Sequence, residues 1–307
     1  MKRREFIIKS AGAGILAGTA LSVGSIRKVL AAEVNEPGLP YNLVAVKGGT
    51  APVMFDKAIA SLGGMSKFVK KNQTVVIKPN IGWDCTPQLA ANTNPELVGR
   101  IVEQCFIAGA KSVFVFDNPV NEWTRCYRNS GIEDAVKKAG GTMVTGKSES
   151  YYHAVDIPHG KILKNAKVHR LILESDVFIN VPTLKTHGGT RLSISMKNLM
   201  GVVWDRGFWH KHNLHQCIAD FTTFKKPDLN IVDAFRVLKR NGPRGVSVAD
   251  VVEMKYQILS PDIVAADAAA SKVFGIEPEQ LKHVPLAAEL GSGIIDLEKL
   301  RINRISI

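Results

Sequence analysis

The sequence predicts an α/β protein: a doubly wound, largely parallel sheet flanked by helices on both faces. Three observations carry that expectation. Short, continuous apolar runs at residues 74–78, 112–116 and 177–181 read as strands covered on both sides. Stretches of helical period alternate with them. Gly and Pro mark most of the boundaries.

In chain order, residues 43–46 give a short strand and 53–62 a helix that Gly63-Gly64 closes. Residues 74–78, Thr-Val-Val-Ile-Lys, form a strand that Pro79 stops. Asn94-Pro95 opens the next helix, because Asn94 can cap it and Pro95 fits its first turn. Its apolar face is Leu97, Ile101, Val102, Cys105 and Phe106, and Gly109 ends it. A strand at 112–116, a helix at 132–138 and a strand at 142–144 continue the rhythm. Strands at 177–181, 230–232 and 256–259 follow, with an Ala-rich helix at 263–273 and a short helix at 285–290. This pattern leaves the strand order open.

The first 32 residues are set apart from that pattern. Adjacent Arg3 and Arg4, one intervening residue, then Phe6 and Ile7 resemble a twin-arginine export motif. An apolar Gly/Ala-rich run follows from residue 11 to 23, and Ala31-Ala32 suits a signal peptidase. That run is shorter than the roughly 20 residues that span a bilayer as a helix. Residues 1–32 are therefore expected to be a signal peptide and 33–40 a linker, with 41–307 a single α/β domain. The export machinery is the expected partner, and the mature chain is expected outside the cytoplasm with no membrane span.

Charge narrows the ligand class. The formal net charge is +12, but residues 1–31 hold six Lys/Arg and one Glu, leaving about +7 for the rest. That favours a small anionic ligand over a polyanion. No dense basic stripe with interleaved aromatics argues for nucleic acid. The four cysteines, Cys85, Cys105, Cys126 and Cys217, form no Cys-x-x-Cys pair, so no iron–sulfur cluster is expected. An oxidising compartment permits a disulfide between Cys85 and Cys126, both expected in loops after strands. Cys105 reads as core.

Polar residues gather where strands end, the usual ligand side of an open α/β sheet. Lys78-Pro79-Asn80, Asp117-Asn118-Pro119, Lys185-Thr186-His187 and Asp233 each follow an apolar run. Asn, Asp and Pro there are also ordinary turn chemistry, and a Lys can simply reach water. Lys197 and Asn198 lie among apolar residues ahead of Gly201. His210, His212 and His215 fall within six residues. His212 and His215 would share one face of a helix and could hold zinc or another divalent metal, His210 joining them only through a bend. His187 could supply a further nitrogen. Asn241-Gly242-Pro243-Arg244-Gly245 reads as a turn or as a contact to phosphate or carboxylate. No dinucleotide, Walker or nucleophile-elbow motif occurs.

The series Lys78-Pro79-Asn80, Asn94-Pro95, Gly109-Ala110-Lys111, Asp117-Asn118-Pro119, Val181-Pro182-Thr183-Leu184-Lys185-Thr186-His187, Met196-Lys197-Asn198-Leu199-Met200-Gly201, Ile231-Val232-Asp233-Ala234 and Asp267-Ala268 resembles the family named domain of unknown function 362. The resemblance runs through nearly the whole chain after residue 41. It supports this choice of residues and implies no reaction. Some members of that family carry ferredoxin-like cysteine clusters, and this chain has none.

Three functions remain. One is an exported, metal-assisted enzyme with Lys78, Asn80, Lys197, Asn198 and Asp117 holding a carboxylate or phosphate. His187 would be its acid–base group, Lys185 a second catalytic residue, and Asp233 or Asp117 the group that orients His187. The others are a metal or anion carrier without turnover and an accessory protein for an exported redox enzyme.

Overall fold

The computed structural model describes residues 38–307, so the expected signal peptide, residues 1–32, and residues 33–37 of the expected linker lie outside the described residues. The central layer is the sheet. It takes in β1 (Leu43–Lys47), β2 (Thr74–Pro79), β3 (Ser112–Val115) and β4 (Thr142–Met143) from the first half of the chain. Between them run α1 (Ala51–Ser61), α2 (Pro95–Ile107), α3 (Trp123–Asn129) and α4 (Ile132–Lys138). A separate antiparallel hairpin, β5 (Tyr152–Asp156) with β6 (Asn165–His169), leads through α5 (Arg170–Glu174) back into the main sheet. There the chain lays down β7 (Val177–Val181), β8 (Thr183–His187) and β9 (Arg191–Ser193). Three short helices follow: α6 (Ser195–Asn198), α7 (Gly207–Lys211) and α8 (Leu214–Phe221). The remainder is β10 (Leu229–Leu238), β11 (Val251–Ser260), α9 (Ile263–Phe274), α10 (His283–Glu289) and β12 (Ile302–Ser306).

The strand order is β12-β1-β11-β10-β7-β2-β3-β4, with β8 paired to β10 and β9 off that path. β10, β7, β2, β3 and β4 run parallel, while β11 is antiparallel to both its neighbours. The expected largely parallel α/β sheet is therefore present, made mixed by two reversed strands, β11 and the short β9, which is antiparallel to β8. Alternate residues on each strand face different cores. Val75, Ile77 and Ile179 pack with Met54 and Phe55 of α1 and Leu97 and Ile101 of α2. Val76, Phe178 and Val232 join the cluster of Ile263, Val264 and Ala266 on α9. Because side chains alternate along a strand, helices must cover both faces.

This topology creates one special crevice. From β2 the chain winds outward through β3 to β4, then returns to lay β7 on the other side of β2. The winding direction reverses between β2 and β7, and such a reversal leaves an opening at the carboxyl ends of the strands.

Sequence boundaries hold within a residue or two where capping chemistry is explicit. The Asn94 side chain accepts hydrogen bonds from the Glu96 and Leu97 amides at the start of α2. The first helix begins at Ala51, two residues before its apolar pattern, because Pro52 occupies its first turn. The Cys85–Cys126 disulfide that the sequence permits is not formed. Both cysteines are free and buried, and Cys126 lies within α3 rather than in a loop. Burial pushes the Cys126 thiol up to about 12.

Replacing Asn94 by Ala removes both cap bonds and should cost ~1 kcal/mol of stability. In thermal denaturation, the expected result is a Tm lowered by about 2–4 °C.

Candidate functional site

Lys78 is the last-but-one residue of β2 and is only 1% exposed, so its ammonium group must be neutralised inside the protein. Its Nζ lies 2.9 Å from Asp117 Oδ1 and donates to Asn198 Oδ1 at 2.7 Å. Asp117, just beyond β3, also accepts from the Ile81 amide at 2.7 Å and the Asn118 amide at 2.8 Å. The Tyr127 hydroxyl accepts from the Asp117 amide and donates to the Asp117 carbonyl. Desolvation still outweighs Asp117 and holds the Lys78 pKa below its ordinary value.

The network extends across the switch point. Asn198 Oδ1 also accepts from Asn80 Nδ2 at 3.2 Å, and Asn80 Oδ1 accepts from Lys185 Nζ at 2.8 Å. Lys185, on β8, donates further to the Ala91 carbonyl. A lysine only donates, so each ammonium group dictates which end of the adjoining amide faces it. Asn198 Nδ2 is thereby directed to Asn180 Oδ1 at 2.9 Å and the Lys78 carbonyl at 3.2 Å. Burial pushes Lys185 down to about 7.

These groups line a cavity of about 290 Å³ together with Lys197, His187, His210, Arg206 and Trp83. Lys197, on α6, is pushed down to about 8 by burial, with Arg206 and Lys78 adding like charge. The only contact of its Nζ among the described residues is Met200 Sδ at 3.0 Å. Arg206 donates to the Asn118 carbonyl at 2.6 Å and the Pro119 carbonyl at 2.8 Å. Two lining atoms, Asn118 Oδ1 and Thr183 Oγ1, are buried with no hydrogen-bond partner among the described residues. Gly201 forms part of the wall. A Cβ there would sit 2.6 Å from Lys78 Nζ and overlap Asp117 Oδ1.

The fold thus brings Lys78, Asn80, Asp117, Lys185, His187, Lys197 and Asn198 to one cavity. Asp233 lies elsewhere. It accepts from the Asn94 amide at 2.8 Å and the Phe235 amide at 3.1 Å, tying β10 to the start of α2. It borders a different small cleft, and burial pushes it up to about 6. It is therefore not the group that orients His187, whose Nδ1 accepts from the Gly189 amide at 3.0 Å. Burial, with Lys197 and Lys185 adding to it, pushes His187 down to about 3, so its imidazole is neutral at pH 7.

The three-histidine metal set is not assembled. α7 ends at Lys211 and α8 begins only at Leu214, so the three side chains diverge. His210 lines the cavity, whereas His212 stacks on Phe208 and its Nδ1 contacts the Phe208 carbonyl at 2.8 Å. His215 stacks with His283, buried between α8 and α10. Among the described residues, no group of three or more His, Cys, Asp or Glu is arranged to hold a metal ion. The turn at 241–245 packs on β8, where the Gly242 amide donates to Thr186 Oγ1 at 3.1 Å. Its Pro243 reaches the cavity rim.

One contributor escaped sequence reasoning, and a second entered it only through the family series. Arg206 stands in the Trp204-Asp205-Arg206-Gly207 segment, where no spacing rule distinguishes it from a surface arginine. Asp267, on α9, accepts from the Ser195 and Met196 amides at 2.7 and 3.2 Å and so fixes the start of α6. Its signal in the sequence was Asp267-Ala268 in the series that resembles the family, with no role attached to it. Removing the Asp117 carboxylate should be severe. Asp117→Ala leaves Lys78 buried without its counter-ion and should destabilise the fold by about 3–5 kcal/mol in urea unfolding. Asp117→Asn, which keeps acceptor oxygen for Lys78, should lose less.

A family model described as domain of unknown function (DUF362) matches residues 75–272. The thylakoid-associated protein sll1697 of Synechocystis sp. is 28% identical over 248 residues, covering 75% of this chain and 74% of that protein. Among solved structures, the lactate racemase apoprotein from Thermoanaerobacterium thermosaccharolyticum matches with a TM-score of 0.45 at 13% identity, over 80% of this chain. A Thermotoga maritima protein matches with a TM-score of 0.41 at 10% identity, over 78% of this chain. This chain spans 57% and 59% of those two chains. The stretch matched by the family model starts within β2, ends within α9 and contains every charged residue of the cavity. The chain belongs to the domain of unknown function 362 family.

Proposed function

We propose that this protein is exported and that its cavity at the β2–β7 switch point binds a small carboxylate or phosphate, on which it acts as an enzyme. One observation carries the reading: Lys78, Lys185, Lys197 and Arg206 line the same cavity, while Asp117 is the only carboxylate among the lining residues. Asp117 is already engaged by Lys78. The cationic surplus is desolvated, so an anion entering the cavity gains far more than it would at an open surface. Lys185 uses two of its three donors and Arg206 two of its five, so both retain N–H groups for a ligand.

A second reading, a carrier without turnover, draws support from His187. No carboxylate holds its ring, and an imidazole pushed down to about 3 is a weak base at neutral pH. Turnover of substrate panels by wild type, abolished in a folded Lys185→Ala variant, separates enzyme from carrier.

Calorimetry with malonate, ionised across the range used, tests the anion site. Affinity should fall as pH rises through about 7 and about 8, where Lys185 and Lys197 lose their protons. The sign follows from the ammonium form being the binding form. Lys185→Ala should weaken binding about 10- to 100-fold, as loss of a charged hydrogen bond does. Malonate binding that is absent, or that strengthens with pH, would sink this reading.

The export part rests on Arg3-Arg4 and the apolar run behind them. Cell fractionation of the full chain should find it outside the cytoplasm, and Arg3→Lys with Arg4→Lys should leave the uncleaved precursor inside.

A further inference from the structure

The three lysines of the cavity differ in what holds them. Lys78 has the Asp117 carboxylate and the Asn198 oxygen. Lys185 has the Asn80 and Ala91 oxygens. Lys78 and Lys185 are therefore each anchored to two oxygen acceptors. Lys197 has no oxygen partner among the described residues. Its Nζ touches Met200 Sδ, a weak acceptor that does little to stabilise a charge. Lys78 and Arg206 repel its proton from the same cavity, and the side chain is only half-buried, open to an entering ligand. This is the environment in which a lysine becomes a nucleophile: desolvated, beside other cations, and not anchored as an ion pair.

We propose that Lys197 is a Schiff-base lysine that condenses with the carbonyl group of a small oxo-acid. This rests on the anion-binding reading, because the carboxylate of that acid is what Lys185 and Arg206 would hold. The neutral amine attacks the carbonyl carbon, and the carbonyl π pair moves to oxygen. Both amine protons leave with that oxygen as water, and a C=N bond replaces C=O. No oxidant or reductant enters the step. His210, lowered in pKa by burial with Lys197 adding to it, is a neutral imidazole of the same cavity able to relay the protons between nitrogen and oxygen. The imine would draw electrons from the carbon next to it, so the class of reaction is bond-breaking at that adjacent carbon.

The test traps the imine on the full chain with pyruvate or glyoxylate and sodium cyanoborohydride, followed by tandem mass spectrometry. The expected result is one reduced adduct per chain, located on Lys197 and suppressed at least 10-fold by excess malonate. Its rate should climb with pH through about 8, where the amine loses its proton. Lys197→Arg should lose the adduct, with circular dichroism checking its fold. Should that variant not fold, malonate protection of the wild-type adduct carries the same information. Malonate binding without a Lys197 adduct, or adducts spread evenly over exposed lysines, overturns the Schiff base and leaves the anion site standing. No malonate binding and no adduct overturns both.

Discussion

The buried ion pair between Lys78 and Asp117 constrains most of what surrounds it. Two charges withdrawn from water lose several kcal/mol of hydration each, and their mutual attraction restores this only when the remaining donors and acceptors are also satisfied. Here that condition recruits the neighbourhood. The Asp117 oxygens take the Ile81 and Asn118 amides, so the chain leaving β2 and the chain leaving β3 turn where they do. Lys78 takes Asn198, which draws α6 against the strand ends. Gly201 follows because any side chain there would occupy the space of the pair. One pair thus fixes two strand ends, a helix and a glycine, and the cavity wall is the surface they share.

What lies beyond the pair is a gradient of commitment. Lys78 is neutralised by a carboxylate, Lys185 by neutral oxygens alone, and Lys197 by a thioether. Burial holds all three lysines below the ordinary value, Lys185 at about 7 and Lys197 at about 8, and it lowers the histidines of the same cavity as well. The acid–base partner expected from Asp233 fails for a related reason. A buried carboxylate seeks backbone amides, and Asp233 finds them at Asn94 and Phe235, away from the imidazole.

The sequence made the sheet and the strand-end residues legible because both rest on local rules. Continuous apolar runs marked β2, β3 and β7 closely, and Asn94-Pro95 marked α2. Five of the site candidates, Lys78, Asn80, Asp117, Lys185 and His187, followed from their place after an apolar run, since residues leaving parallel strands emerge on one edge, while Lys197 and Asn198 stood out by lying among apolar residues. Non-local pairing was not legible. The reversed direction of β11, the strand character of residues 183–187 and the β5–β6 hairpin depend on partners far away in the chain. The histidine cluster misled because sequence proximity was taken for spatial proximity. The break between α7 and α8 turns His212 and His215 to different neighbours. Arg206 was hidden for the opposite reason: its importance comes from carbonyls 87 and 88 residues away.

Charge burial also makes the fold's stability and its ligand preference one question. Lys185 drops from 10.5 in the unfolded chain to about 7 in the fold, so between those values the unfolded state binds more protons and stability rises with pH. The penalty is complete below about 7. Asp233 and Asp267 are pushed up from 3.8 to about 6 and about 7, so the folded state binds the extra proton and stability falls as pH rises through that window. Their penalty is complete above about 7. At neutral pH the protein therefore carries both burdens nearly in full. The two differ in remedy. Asp233 and Asp267 have backbone amides as their partners, away from the cationic cavity. Lys185 and Lys197 face an open cavity, and an anion there raises their pKa values and removes the lysine share. Ligand binding and relief of desolvation are then the same free energy, which is why a cavity so unfavourable when empty of charge partners is coherent as a binding site.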